Sequence, residues 1–455
     1  MRTEGFAHLE AGRIDAARAV AEARLARDPG DGDALHLLGI VSWRSGAQAV
    51  AADLLRRAAA ALGEAEGAVL CLSNLTEMCR LEGRLDEAAA CGQRAVALGP
   101  DDANAWYNLG IVEQERLRLD ASITALRRAL ALAPDHAGAH FELAEALLLG
   151  GDFKAGWEEY EWRFRVTGVQ PLLPQTRAPA WDGSPMRDGR LLLIADQGYG
   201  DVIQFMRFLP RARSLCPNVA IACGSLMKPI VAPLAGDAPM FDNWSQAPDF
   251  DAYAAFSSLP RLFGVELATI PADRAYLRPD AALVAHWRSK LDRMTAGGPR
   301  RIGVVWAGRP THGNDRNRSL ALEQLAPLGQ LERIALIALQ LGDAAAQAGR
   351  WWGGAPLVNL GPEIRDFADT AAIISTLDAV VSVDTSVAHL AGALGQPTFV
   401  LLPFAPDWRW LLGRDDSPWY PSVRLYRQPS RGDWTAPVAR VAADLARPGR
   451  SRPAT

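Results

Sequence analysis

Two prolines 34 residues apart, Pro100 and Pro134, each close an Ala-rich segment, CGQRAVALGP and LRRALALAP. A fixed period of that length demands a stack of helical hairpins, because one unit is too short to bury its apolar face and must cover it with the next. Counting back from Pro134, Trp106, Leu109 and Gly110 fall on a first helix, and Leu126 and Ala129 take packing places on a second. Leu35, Leu38 and Gly39 repeat the first pattern, Ala51, Leu55 and Ala58 the second, and Pro29 closes a still earlier unit. Pro29 and Pro100 lie 71 residues apart, two periods plus three, so one turn near Gly63–Gly67 is expected to be longer.

The period is that of tetratricopeptide repeats, with one departure: Glu113 stands where the pattern prefers Tyr. At least four units are expected. A fifth, degenerate one runs from Ala137 through Phe141, Leu143 and Leu147 into FKAGWEEYEWRF (153–164). Trp157, Tyr160, Trp162 and Phe164 are read there as core that caps the array and docks it on the next domain, since aromatics at helical spacing pack more often than they bind. Such an array offers a concave groove for a peptide or helix of a protein partner; the alternative is a scaffold or dimerisation surface. His136 and His140 are i,i+4 neighbours, but His136 lies in a turn and no third ligand is near, so they are not read as a metal site.

With 455 residues, the chain has room for two to four domains. A net charge of −4 and 49% hydrophobic residues exclude a disordered chain and make bulk nucleic-acid binding an unsuitable role. The 45 Arg against 3 Lys carry no functional weight. Charge is uneven: residues 1–165 hold 18 basic and 26 acidic side chains, and residues 166–455 hold 30 and 26. Five scattered Cys without a C-x-x-C pair fit a reducing compartment. The opening MRTEGFAHLEAGRID is too charged for a signal peptide, and no apolar window reaches the length of about 18 residues that spans a membrane, so the expected location is cytoplasmic.

Residues 166–189, with Pro171, Pro174, Pro179, Pro185 and the turn WDGSP, read as a linker. A different rhythm follows. RLLLIA (190–195), DQGYGD, a helical pattern and VAIACG (219–224) make a β-loop-α-β unit, with DAYAAFSS as a further short run and PADRAYLRP (271–279) as a connection. RIGVVWAG (301–308), ALIALQ (335–340), AVVSVD (379–384) and TFVLLP (398–403) are continuous apolar strands, as a parallel sheet covered on both faces requires. Two α/β halves are expected, residues 190–285 and 286–455, with ligands beyond the carboxyl ends of the strands.

Three loops stand at those ends. In Gln197-Gly198-Tyr199-Gly200-Asp201, Gly198 and Gly200 let backbone approach a ligand; Asp201 is either the N-cap of the next helix or a general base. The loop 306–319 concentrates Arg309, Arg316, Arg318 and Ser319, donors suited to a diphosphate, or else a solvated loop paired with Asp315. In the third, Asp384 ends a strand, Thr385 or Ser386 caps the following helix, and an anion fits the capped amides; His389, one turn on, either packs or contacts the ligand.

The segment SVDTSVAHLAGALGQP, with a Gly-Asp loop opening the first half, resembles the heptosyltransferase-like glycosyltransferases of family nine, which have the GT-B fold. WAGRPTHGNDRNRSL and LLPFAPDWRWLLGRDDSPWYPSVRLYRQP are similar to a bacterial group that joins tetratricopeptide repeats to such a body. The resemblance implies an α-solenoid over 1–165, then two Rossmann-like halves, the first facing the acceptor and the second holding a nucleotide sugar. It implies Asp201 as base, Thr385 and Ser386 as the phosphate turn, and Asp384 and His389 as flanking signature. Arg316 and Arg318 stand where that family often has Lys. Gln340, Asp369 and Thr370 fall where nucleoside contacts are expected, and Asp407, Trp408 and Arg409 where the sugar or acceptor side is expected, or else form a packed aromatic segment with an ion pair. The implied reaction is metal-independent, uses no cofactor beyond the nucleotide-sugar donor, and glycosylates a protein acceptor held by the repeats, with flagellin as the nearest analogy. Two other readings stand beside it: a non-catalytic scaffold with a vestigial nucleotide-binding body, and an enzyme acting on lipopolysaccharide or another glycan.

Overall fold

A computed structural model of the chain describes residues 4–65, 67–166, 173–272, 275–295 and 298–447. It divides into two compact units, residues 1–147 and 148–455.

Among the described residues of the first unit, all regular structure is helical. Successive helices Glu4–Glu10 and Ile14–Leu25, Gly32–Arg44 and Gln48–Leu62, Ala68–Leu81 and Leu85–Leu98, and Ala103–Glu115 and Leu119–Leu132 pack as pairs, and Ala137–Gly150 follows. Asp31 and Asp102 start two of the first helices by accepting from the amides of Ala34 (3.1 Å) and Ala105 (2.9 Å). Small residues let the pairs close: a Cβ on Gly110 would come within 2.6 Å of Leu126, and one on Gly39 within 2.7 Å of Leu55. Glu113, the departure from the repeat pattern, is buried and bonded to Arg116 at 3.1 Å, so an ion pair replaces the aromatic contact. His136 accepts from the amide of Ala139 and His140 bonds to the carbonyl of Pro134, giving each imidazole a local structural partner.

The second unit holds two all-parallel sheets. The first contains β1 (Leu191–Ile194), β2 (Val219–Ala222), β3 (Met240–Phe241) and β4 (Ala252–Ala255), in the order β3-β2-β1-β4. The second contains β5 (Arg300–Val305), β6 (Ile334–Ala338), β7 (Leu357–Asn359), β8 (Ala379–Val383), β9 (Thr398–Leu402) and β10 (Val423–Arg427), in the order β10-β9-β8-β5-β6-β7. Each order reverses direction once, between β1 and β4 and between β5 and β8. Those reversals open the crevices in which α/β sheets hold ligands.

Three strands lacked the expected signal. β3 has only two residues, β7 is a half-exposed edge, and β10 is an edge strand that alternates Val423, Leu425 and Tyr426 with Arg424 and Arg427 instead of running apolar. Within the stretch read as a linker, Ala180 bridges Tyr253 in parallel and Trp181 is buried. Helix Ala281–Met294 runs through the position expected for the boundary between the halves. Its Trp287 donates to Asp369 at 3.0 Å, which ties the helix to the second half. The aromatic helix Phe153–Tyr160 packs within the α/β unit, where Trp157 donates to the carbonyl of Val265 at 2.8 Å.

Candidate active site

The loop after β1 enters helix Tyr199–Phe205 with Gly198 at the N-cap, so Asp201 is the third helical residue and not the cap. The bare Gly198 leaves no side chain over the first amides. Gly200 faces the other half: a Cβ there would lie 2.9 Å from His389, so helix Tyr199–Phe205 and helix Ser386–Ala393 approach closely at this point.

Asp201 meets Arg409, which comes from the turn after β9. The same guanidinium takes both oxygens of Asp407 at 2.9 Å, while the Asp407 carboxylate also accepts from the Arg409 amide. Arg409 is buried and lies over the ring of Trp408, centroid 4.3 Å away. One cation thus joins carboxylates from both halves. Burial pushes the Asp201 carboxyl above the usual range, with Asp407 and Asp196 adding to it; Arg409 and the Gly198 backbone pull the other way. Burial also works against the Asp407 carboxylate, but Arg409 outweighs it and holds this group low.

Beyond β8, Asp384 is buried, and burial with the neighbouring Asp407 charge raises its carboxyl to about 6, against the pull of Arg318. His389 is buried too. Burial first, then Arg409, Arg207 and Arg318, lower its imidazole to about 3, so it is neutral. Its Nδ1 shares a hydrogen bond with the Tyr420 hydroxyl at 2.9 Å, it stacks on Trp410, and its Nε2 lies 3.8 Å from Asp384. Helix Ser386–Ala393 has no side-chain cap: Thr385 turns its hydroxyl to Ser382 at 3.1 Å, and Ser386 is half-buried.

The loop 306–319 folds on itself. Arg318 approaches Asp315 at 3.4 Å, and Ser319 donates to Asp315 and accepts from the Gly308 amide, each at 2.9 Å. Arg309 and Arg316 are exposed. His312, left unassigned in the sequence, has Arg318, Asp407, Asp315 and Arg409 as its charged neighbours. His312 stands exposed at the surface, yet partial desolvation of its ring and then Arg318 lower its imidazole. The signal for it was only a His inside a loop already singled out for its arginines.

Gln340, Asp369 and Thr370, also expected at the site, have their polar groups engaged elsewhere. Gln340 accepts from the amides of Trp306 (3.1 Å) and Ala307 (3.0 Å) and donates to the carbonyls of Ala307 and Leu341, clamping the exit from β5. Asp369 is wholly buried between Trp287 and Arg365, and Thr370 bonds to the Asp366 carbonyl. Trp408 is 1% exposed and packs among Phe153, Trp157, Tyr160 and Trp419. The indole N–H groups of Trp306, Trp408 and Trp419 are buried without a hydrogen-bond partner among the described residues.

Comparison with known proteins agrees with the repeat and α/β assignments. Residues 3–66 and 111–161 match the tetratricopeptide repeat, residues 77–115 a TPR repeat, and residues 333–404 glycosyltransferase family 9 (heptosyltransferase). The last match runs from the start of β6 to just beyond β9. Protein FlbA of Caulobacter vibrioides is 27% identical over 335 residues, which are 67% of this chain and 54% of FlbA. The chain therefore spans about half the length of that curated relative. Among solved structures, a crystal structure of MamA is 21% identical with a TM-score of 0.32, covering 36% of this chain and 95% of that one. PilF of Pseudomonas aeruginosa is 20% identical with a TM-score of 0.33, covering 37% and 76%. The chain is therefore similar to tetratricopeptide repeats over segments of residues 3–161 and to glycosyltransferase family 9 (heptosyltransferase) over residues 333–404, in its second α/β half.

Proposed function

We propose that the protein transfers a glycosyl group from a nucleotide-sugar donor to a hydroxyl of a protein captured by the repeat array, without a metal ion. The observation that carries this reading is the meeting of Asp201, from the switch point of one sheet, with the groups beyond β8 and β9 of the other. Asp201 takes the proton of the acceptor hydroxyl while that oxygen bonds to the anomeric carbon. The bond from that carbon to the phosphate oxygen breaks, and the leaving nucleotide keeps the electron pair. The uncapped start of helix Ser386–Ala393 and the Arg318 guanidinium oppose the charge developing on the phosphate. A flagellin-type acceptor and a cytoplasmic location are the specific forms of this reading, supported by the acidic repeat arm and by five cysteines outside any disulfide. Among the described residues no helix is long and apolar enough to cross a membrane.

The test is nucleotide release from a panel of UDP-, GDP-, ADP- and CMP-sugars by the purified chain, with and without flagellin, repeated in excess EDTA. Turnover that survives EDTA and is lost in Asp201→Asn supports the proposal. Saturable donor binding without turnover favours the scaffold, and transfer to a lipopolysaccharide core but to no protein favours the glycan acceptor.

A further inference from the structure

The segment that follows the repeats reaches the loop bearing Asp201. Tyr160 donates from its hydroxyl to Gln197 at 3.1 Å. Arg163, its side chain 5% exposed, donates to the Tyr160 carbonyl (2.8 Å), to Glu161 (2.8 Å) and to the Ser258 hydroxyl (2.7 Å), and approaches Asp196 at 3.4 Å. Asp196 in turn accepts from the amide and hydroxyl of Ser257. Asp196 follows β1 and Ser257 follows β4, so a single guanidinium stitches together the two loops that flank the switch point of the first sheet.

A buried ion pair of this kind recovers its desolvation cost only when its geometry is fixed and its hydrogen bonds are made, as they are here. We propose that Tyr160 and Arg163 are positioning residues that hold the Gln197–Asp201 loop against the second half, making residues 153–165 part of the reaction centre's support and not a spacer. The purpose assigned to the loop rests on Asp201 being the base; the holding of the loop does not.

The charged groups facing Asp201 are Arg409 and Asp407 from the turn after β9 and Asp196 from its own loop. Arg163 balances Asp196. Removing that positive charge leaves Asp196 to oppose ionisation of Asp201 more strongly, whereas removing the Tyr160 hydroxyl changes no charge.

The experiment uses the full chain as wild type, Tyr160→Phe, Arg163→Lys and Arg163→Gln. Amide hydrogen exchange is followed in the peptide covering residues 195–202, with peptides from the repeats and from β5 to β9 as controls. Expected are increases of about threefold in Tyr160→Phe and about tenfold or more in Arg163→Gln, with the controls unmoved. Nucleotide release, from whichever sugar nucleotide the wild type turns over, should show kcat falling with donor KM held. Its acid limb should move to higher pH in Arg163→Gln, but not in Arg163→Lys or Tyr160→Phe. Unchanged exchange at 195–202 in both Tyr160→Phe and Arg163→Gln overturns the proposal, and so does an equal rise in the controls. If Arg163→Gln does not fold, Tyr160→Phe decides alone. If the wild type turns over no donor, the assignment of Asp201 as base fails, while the exchange result still decides whether the loop is held.

Discussion

At the scale of single residues the site is governed by who shares Arg409. Asp201→Asn removes the proton acceptor and should lower turnover by about 10²- to 10⁴-fold while donor binding stays within about threefold. Because burial raises the Asp201 carboxyl, activity in the wild type should fall on acidification above the range usual for a carboxylate, as a pH–rate profile would show. Stability carries two opposed effects. His389 is held neutral down to about 3 from an ordinary 6.5, so the unfolded chain gains a proton first and stability falls as pH drops through that window. Asp384 is held protonated up to about 6 from an ordinary 3.8, so stability rises as pH drops between those values. Asp384→Asn should therefore lose stability on acidification more steeply than wild type, and His389→Gln less steeply, when urea midpoints are compared across pH. Residue types at strand ends were legible: Asp384 lies 3.8 Å from His389, and Gly200, next to Asp201, faces the same imidazole. Pairing was not. Nothing in spacing reveals that Arg409 reaches Asp201 across 208 positions, or that Gln340 spends its whole amide on the backbone beside it.

At the scale of elements, close approach sets the tolerances. Gly110→Ala places a methyl group within 2.6 Å of Leu126 and should cost about 1–3 kcal/mol, read as a lowered midpoint of helix melting. Gly200→Ala, whose methyl group meets His389 at 2.9 Å, should cost a similar amount, about 1–3 kcal/mol, and reduce turnover as well, because the helix it pushes carries Asp201. Periodicity made the repeats readable, since two units set a Gly of the first helix over a Leu of the second, Gly39 over Leu55 and Gly110 over Leu126. Apolar runs likewise revealed β1, β5, β8 and β9, which are buried along their length but for Arg300 at the start of β5. Edge strands escaped for the opposite reason. A strand such as β10 needs apolar residues only where it is covered, so Arg424 stands exposed within it and breaks the run.

At the scale of the molecule, each unit owns its core. Leu35, Leu55, Leu72 and Leu109 belong to one, and Ile302, Leu336, Val381 and Leu401 to the other. Calorimetry should resolve two transitions, with Gly110→Ala lowering one and Gly200→Ala the other; a single transition moved equally by both would contradict independent cores. The buried tryptophans give the second unit a spectroscopic property of its own. Trp306 opens the arginine-rich loop, Trp408 lies beneath the cation that joins the halves, and Trp419 packs beside it, each shielded from water and with an indole N–H that has no hydrogen-bond partner among the described residues. Chromophores in such surroundings emit at short wavelength, and their yield responds to any charge brought alongside. Titrating unlabelled protein with a nucleotide and watching the blue edge of its intrinsic fluorescence should therefore register occupancy of the crevice before any acceptor is known.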